Sequence, residues 1–291
     1  MLRGMYSAIS GLKAHQTMLD VTANNLANAN TVGYKASRTT FADSLSQQIR
    51  GAAGATAETA GTNASQVGLG VRVATIDNLV GTSATQMTGN PTDVALQGEG
   101  WFSVVRADPA NPVPGAATWS FTRAGAFQIA ESGHLVTPDG LYVVGYGVTP
   151  PPGSGPDVGG GPSFLQLPAG ASDVAIGSDG SVSYVDHSGG PADGTRQTAG
   201  YIAVSRFANQ AGLQRQGSNL WSATANSGAP TTDTPGVNGN GALISGALEM
   251  SNVDLASEFT TMISAQRGFQ ANSRVITVAD DMLQEVVNMK R

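Results

Sequence analysis

Few residues in this sequence have the types and spacing that catalysis requires. The three histidines, His15, His134 and His187, lie far apart along the chain and share no metal-ligand spacing. We therefore interpret each of them as a solvated histidine. The chain has no cysteine, so the sequence excludes both a disulfide framework and a thiolate metal site.

The glycine-rich and acidic segments also have simpler explanations than catalysis. The Gly-Leu-Gly run at 68–70 and the Gly-Glu-Gly run at 98–100 precede segments with strand character, whereas a phosphate-binding loop opens a helix. Asp139 and Asp179 each come directly before a glycine, where aspartate usually stabilises a turn. We predict that the chain is not an enzyme and that it binds neither a metal nor a cofactor.

Composition limits the class of protein. With 291 residues, the chain is long enough for one large domain or two medium ones. Only 12% of the residues are charged and 38 are glycine, which favours strands and turns with neutral faces. The net charge of −6 argues against nucleic acid as a partner. Since no run of about 18 apolar residues occurs, we expect no membrane insertion.

Apolar residues recur in steps of three and four at both ends of the chain, the spacing of a helix with one apolar face. In the first helix, expected over residues 1–29, this row consists of Leu2, Met5, Ile9, Leu12, Gln16, Leu19 and Leu26. In the last helix the row consists of Leu255, Phe259, Met262, Gln266, Phe269, Ile276, Leu283 and Val287. We call these two rows the seam. Because a lone helix cannot leave such a row in water, the seam predicts packing within the chain or against copies of it.

The middle of the chain has a different pattern. Residues 51–66 are small and polar, which indicates a linker, and from residue 67 apolar residues recur with the period of two that is typical of strands. We predict an α+β fold in which the terminal helices, at 1–34 and 252–291, form a coiled-coil core domain. Residues 35–69 are a linker or extended arm, and residues 70–251 form an inserted all-β domain with a Pro/Gly-rich loop at 150–162.

Two terminal motifs give the chain a resemblance to a known family. The N-terminal motif contains Asn24, Asn25, Asn28, Gly33 and Tyr34, the last two followed by a lysine. The C-terminal motif contains Ser251, Asn252, Val253, Asp254, Gln266 and Arg267. The serine and the acid three residues later also predict a helix-capping box. Together these motifs resemble the paired terminal signatures of bacterial flagellar rod and hook proteins.

The resemblance implies a structural subunit of the flagellar axial tube. In that family the terminal helices form an inner coiled-coil core around a central channel, and the β domain forms an outer layer. The resemblance also implies a helical homo-polymer with neighbouring rod, hook–filament junction and cap proteins as partners. Export would proceed through the flagellar type III apparatus, consistent with an N-terminus that lacks the apolar core of a cleaved secretory signal peptide.

The position along the flagellum is left open by the sequence. The segments at 1–11 and 140–146 look most like compact hook proteins, so we expect a hook subunit in which loop 150–162 replaces a larger outer domain. The alternatives are a distal rod protein, a secreted β-rich adhesin and an unrecognised hydrolase. One departure from the family is Gly268, where alanine is usual; we expect it to permit a close helix contact at a cost of about 1 kcal/mol in helix propensity.

Overall fold

The computed structural model describes residues 2–55, 60–106, 118–148, 161–168, 170–187 and 194–289. The chain forms two compact units. Unit 1 contains Met1–Ala29, Ala36–Leu79 and Val253–Arg291, and unit 2 contains Asn30–Lys35 and Val80–Asn252. Two separate segments of the chain therefore belong to unit 2, a short one at Asn30–Lys35 and a long one at Val80–Asn252.

Unit 1 is built on two long helices, α1 (Leu2–Ala27) and α2 (Leu255–Asn288). They contain 26 and 34 residues, so they are about 39 and 51 Å long at 1.5 Å per residue. They lie antiparallel, since residues early in α1 face residues late in α2. The N-cap of α2 is Asp254, whose carboxylate accepts hydrogen bonds from two backbone amides of the first turn. The cap is therefore Asp254 itself, rather than the serine three residues before it.

Two antiparallel strand pairs complete unit 1. The first joins β1 (Ser37–Asp43) to β4 (Val71–Asn78), and the second joins β2 (Ser46–Arg50) to β3 (Ser65–Gly68). Residues 35–69, which we predicted as a linker or arm, thus contribute three of these strands. Both faces of these strands carry polar residues, so the alternation of apolar and polar residues that marks a strand is weak in their sequence. Residues 56–59 of the predicted linker lie outside the described residues.

Unit 2 is rich in β structure. Its described strands are β5 (Thr85–Met87), β6 (Val94–Gln97), β7 (Trp101–Val105), β8 (Ser120–Thr122), β9 (Gln128–Ile129), β10 (Leu135–Val136), β11 (Tyr142–Tyr146), β12 (Pro162–Phe164), β13 (Ala171–Ile176), β14 (Ser181–Asp186), β15 (Arg196–Ile202), β16 (Val204–Arg206), β17 (Gln214–Gly217), β18 (Leu220–Ser222), β19 (Thr231–Asp233), β20 (Ala242–Ser245) and β21 (Ala247–Glu249). All of the described pairings are antiparallel, and the main sheet has the order β13–β14–β15–β11–β7–β8–β18–β17.

Two apolar clusters fill unit 2. One includes Phe102, Phe127 and Ile202, and the other is centred on Trp101 and Trp221, whose ring centroids lie 5.3 Å apart. Strand β7 supplies residues to both clusters because its alternate side chains point to opposite faces of the sheet. Unit 2 can therefore bury a large apolar area on both sides of one strand.

The predicted α+β class is confirmed, with helices at both ends and a β-rich middle. The coiled-coil core remains a prediction, because the helices pair here within one chain. Most of loop 150–162 lies outside the described residues. In the described part of the chain, neither helix is long and apolar enough to cross a membrane.

Candidate assembly surface

The contact between α1 and α2 is lined by small residues. The buried glycine and alanine residues are Ala8, Gly11 and Ala14 on α1 and Ala265 and Ala279 on α2. On α1 they repeat every three residues, and Ala8, Gly11 and Ala265 each lie one position before a seam residue. The intrachain contact therefore uses the row next to the seam, and small side chains allow the two helices to approach closely.

Gly268 is where this approach is closest. A Cβ atom added there would lie 2.5 Å from the imidazole ring of His15, and one added at Gly11 would lie 2.8 Å from Nδ2 of Asn272. Asn272 in turn donates from Nδ2 to the backbone oxygen of Gly268, at 2.9 Å. The close helix contact expected at Gly268 is present, and the ring of His15 occupies the space where a side chain at position 268 would lie.

Replacement of Gly268 tests this contact. Alanine favours a helix interior by about 1 kcal/mol over glycine, but here its Cβ must displace His15, at a cost of about 1–3 kcal/mol. We expect Gly268→Ala to lower the free energy of unfolding of unit 1, as measured by urea denaturation. Gly4→Ala is the control, because a Cβ there meets nothing within 4 Å, and it should be neutral or stabilising. Equal stabilisation by both variants would contradict the close contact.

Asn25 joins α1 to both neighbouring elements of unit 1. Its Nδ2 donates to Oε1 of Glu258 on α2, at 3.0 Å, and to the backbone oxygen of Ser37, at 2.8 Å. Its Oδ1 accepts from the Ser37 amide at 3.0 Å. The side chain is 1% exposed, so these bonds form inside the chain. Burial raises the pKa of the Glu258 carboxyl, with Asp254 adding to the increase and Asn25 opposing it.

The raised pKa of Glu258 predicts a pH dependence. In the window between the unfolded pKa, about 4.3, and the raised value, the folded state binds more protons, so stability falls as the pH rises. We expect Glu258→Gln to reduce this loss, because its amide stays neutral and its oxygen still accepts from Asn25. The free energy of unfolding measured from pH 4 to pH 7 tests this. Glu285→Gln, at an exposed position of α2, should retain the slope of the original chain.

The seam residues are divided by the structure into exposed and partly buried positions. On α2, Leu255, Phe259, Phe269 and Val287 are 46%, 50%, 38% and 68% exposed. The partly buried positions are Met5, Ile9, Leu12, Leu19 and Leu26 on α1 and Met262, Ile276 and Leu283 on α2. Both glutamines, Gln16 and Gln266, are exposed, and the Leu2 side chain lies outside the described residues. Four of the eight α2 seam positions are therefore apolar and at least 38% exposed within this chain.

A second apolar row lies near the C-terminal end of α2. Val275, Val278 and Met282 are each about half exposed, and they line an open groove of about 440 Å³ together with Met5 and Arg274. The groove lies where the first turns of α1 meet α2. Helix α2 thus presents exposed apolar side chains beyond the seam as well as along it.

The β2–β3 ribbon adds exposed apolar residues to unit 1. Every residue of both strands is exposed, and Ile49 and Val67 within them are 68% and 45% exposed. Leu45, just before β2, is 69% exposed. Since an isolated two-stranded ribbon is marginally stable in water, this one would gain from a further contact.

Unit 2 contains a buried charge cluster formed by Lys35, Arg123 and Glu249. Lys35 Nζ lies 2.6 Å from Glu249 Oε1, and Arg123 Nη1 lies 3.2 Å from Glu249 Oε2. All three side chains are at most 2% exposed. Burial lowers the pKa of the Lys35 amine, although the charge of Glu249 and its hydrogen bond oppose that shift. The sequence analysis did not predict this cluster. The one signal that the sequence offered was an acidic residue, Glu249, inside the apolar segment 242–250.

The family-motif residues have structural roles within the chain. Gly33 has a φ of +69°, and a Cβ there would lie 2.6 Å from the backbone nitrogen of Ala124, so this position requires glycine. Tyr34 is buried, and Asn28 Nδ2 donates to the backbone oxygen of Asn24. The remaining motif residues surround the start of α2 or lie on it: Ser251, Asn252, Val253, Asp254, Gln266 and Arg267.

The prediction of solvated histidines is wrong for two of the three. His15 packs against the ring of Phe41 between elements of unit 1, and its Nδ1 is buried without a hydrogen-bond partner. His134 is 7% exposed and packs against Tyr142. His187 is exposed, with Nδ1 at 2.9 Å from Ser172 Oγ. Among the described residues, no group of three or more His, Cys, Asp or Glu side chains is placed to hold a metal ion.

Three flagellar families match segments of the chain. The flagella basal body rod protein family matches residues 5–35, the flagellar hook protein FlgE/F/G D1 domain matches residues 95–184, and the flagellar basal body rod FlgEFG protein C-terminal family matches residues 244–289. These segments contain most of α1, much of the β part of unit 2 and all of α2. The matches therefore follow the architecture described above.

Curated relatives match over the whole chain. The flagellar basal-body rod protein FlgG of Bacillus subtilis is 48% identical over 292 residues and that of Borreliella burgdorferi 36% over 293, each covering 100% of both chains. The flagellar hook protein FlgE of Borreliella burgdorferi is 27% identical over 450 residues, again with both chains covered fully.

Paired terminal helices with uncovered apolar faces, joined to a β-rich unit, define a structural protein of a larger assembly. The chain belongs to the flagellar rod and hook protein family. Members of this family are structural proteins of the flagellum, so the prediction that the chain is not an enzyme is confirmed. Its place is the axial structure of the basal body and hook.

Proposed function

We propose that the chain is a subunit of the distal rod of the flagellar basal body and that it polymerises there into a helical tube. This is the alternative to the hook subunit that we first expected. The alignments with the two rod proteins span 292 and 293 residues, almost the length of this chain. The alignment with the hook protein spans 450, so that protein carries segments which this chain lacks. This difference in length is the observation that carries the proposal.

The uncovered seam supplies the driving force for polymerisation. Burial of a leucine or phenylalanine side chain contributes about 1.5–3 kcal/mol, and four seam residues of α2 are at least 38% exposed. A heterologous contact between copies that does not close into a ring generates a helical filament. In the polymer the helix pairs of neighbouring subunits form the inner coiled-coil core, with Gln16 and Gln266 setting the register of the seam.

Other surfaces of unit 1 take part in the same assembly. The β2–β3 ribbon gains stability when its exposed apolar residues pack on an adjacent subunit. At the two ends of the polymer the seam contacts neighbouring rod or cap proteins, whereas hook–filament junction proteins would be neighbours only of a hook subunit. The subunit reaches the tip through the flagellar type III export apparatus without removal of a signal peptide.

Localisation separates the candidate functions. Antibody labelling of purified basal bodies, viewed by electron microscopy, is expected to mark the rod below the hook. Label along detached hooks would overturn the rod proposal in favour of the hook. Electron microscopy of concentrated purified protein is expected to show tubes, whereas particles of one fixed size would support an adhesin with a helical stalk.

A further inference from the structure

The segment Asn30–Lys35 connects α1 to β1, both in unit 1, yet it belongs to unit 2. We call it the connecting segment. It is held by residues far away in sequence. The Gly33 amide donates to the Glu249 backbone oxygen at 2.8 Å, and Asn219 Nδ2 donates to the Val32 backbone oxygen at 3.0 Å. The segment therefore closes loops of roughly 190–220 residues when it binds.

The end of the connecting segment is bound by the charge cluster. Lys35 Nζ contacts Oε1 of Glu249 at 2.6 Å and also donates to the Gly81 backbone oxygen and to Ser83 Oγ. The same Glu249 oxygen accepts from the Ser83 amide at 3.1 Å. A fully buried lysine is thus bound by three separate groups of unit 2.

Arg215, in strand β17, also binds the connecting segment. Its guanidinium lies 4.9 Å from the ring centroids of both Tyr34 and Trp221, and it donates to the Lys35 backbone oxygen. The cation therefore lies near two aromatic rings, one in the connecting segment and one in β18.

The connecting segment lies outside the two apolar clusters of unit 2. In the described part of the chain, neither apolar cluster includes a residue of 30–35. The contacts of the segment are instead polar, ionic and cation–π, and they join residues that are distant in sequence. Local opening that breaks such contacts need not disturb the apolar clusters of unit 2.

We propose that the connecting segment docks on unit 2 in a separate, reversible step, controlled by the insertion of Lys35 between Gly81, Ser83 and Glu249. Unit 2 then keeps its folded sheet whether the segment is docked or released. Docking fixes the backbone of the segment on unit 2, and release gives the segment conformational freedom. This inference does not depend on the proposed position of the protein in the flagellum.

Native-state hydrogen exchange of the full chain tests the proposal. In Lys35→Met, Arg123 still neutralises Glu249, so the sheet is expected to fold while the segment loses its anchor. We expect the Gly33 amide to exchange at least ten times faster. The amides of Ile202 and Ala203, which bond within the central sheet, should change less than twofold. The matched control is Arg196→Met, which removes an exposed ion pair with Asp173 and should leave Gly33 unaffected.

Three results would overturn the proposal: an unchanged Gly33 amide, equal acceleration of Gly33 and the sheet amides, or a Lys35→Met chain that does not fold. Asn219→Gly supplies a test outside the charge cluster. It removes the hydrogen bond to Val32, and glycine accommodates the φ of +57° at this position. We expect faster exchange at Gly33 with unchanged sheet amides, and a joint acceleration of both would again contradict the proposal.

Discussion

Phe259→Asp combined with Phe269→Asp is expected to abolish polymerisation while leaving the monomer folded. The two phenylalanines are 50% and 38% exposed, so neither is required to fill the core of unit 1. Burial of their exposed fractions in a contact contributes roughly 1–3 kcal/mol, which the substitutions remove, and each buried carboxylate adds a desolvation cost. The concentration needed for assembly should therefore rise at least about 100-fold.

Sedimentation and electron microscopy measure this change, and circular dichroism checks the fold. Gln270→Asp is the matched control, because it adds the same charge at an exposed position of α2 next to Phe269. It should leave assembly nearly unchanged. Tubes formed by the double variant at the original concentration would show that the seam is not the assembly surface.

Glu249→Leu is expected to cause the largest loss of stability of any single substitution considered. The variant leaves Lys35 and Arg123 buried together without their shared anion. Removal of one partner from a buried ion pair typically costs about 3–5 kcal/mol, because the remaining charge is uncompensated. Urea denaturation of unit 2, followed by the fluorescence of Trp101 and Trp221, measures the loss.

Glu99→Leu is the control for that experiment. Glu99 forms an exposed pair with Arg206 at 3.8 Å, and exposed pairs contribute about 0–1 kcal/mol. Its replacement should change the unfolding midpoint little. A loss below about 1 kcal/mol for Glu249→Leu would contradict the view that this carboxylate compensates two buried cations.

Periodicity predicted the elements with strong apolar patterns. Both terminal helices are present close to their predicted bounds, and alternating segments such as 101–105 are strands. The strands that were missed, including Ser46–Arg50, Gln214–Gly217 and Thr231–Asp233, are short and polar. Their pairing depends on neighbours that are distant in sequence, and no local pattern carries that information.

The packing face of the helices was harder to predict than the helices themselves. Large apolar residues such as Leu19 and Phe269 identified the seam, but the contact between α1 and α2 centres on Gly11, Ala265 and Gly268. A row of small residues has little hydrophobic signal, although it permits the closest approach of two backbones. The charge cluster was missed for a related reason, since the partners of Glu249 lie more than 100 residues away.

The one-position offset between the small-residue row and the seam has a consequence for mutational tolerance. Neighbouring positions of an α-helix are about 100° apart around its axis. A substitution can therefore alter the seam without touching the small-residue row. A one-residue insertion near the middle of either helix instead rotates everything beyond it by about 100° and moves the small-residue row out of the helix contact. Substitutions and length changes in these helices should therefore have very different effects. Between the terminal motifs and the helix centres, insertions and deletions should be tolerated less well than substitutions.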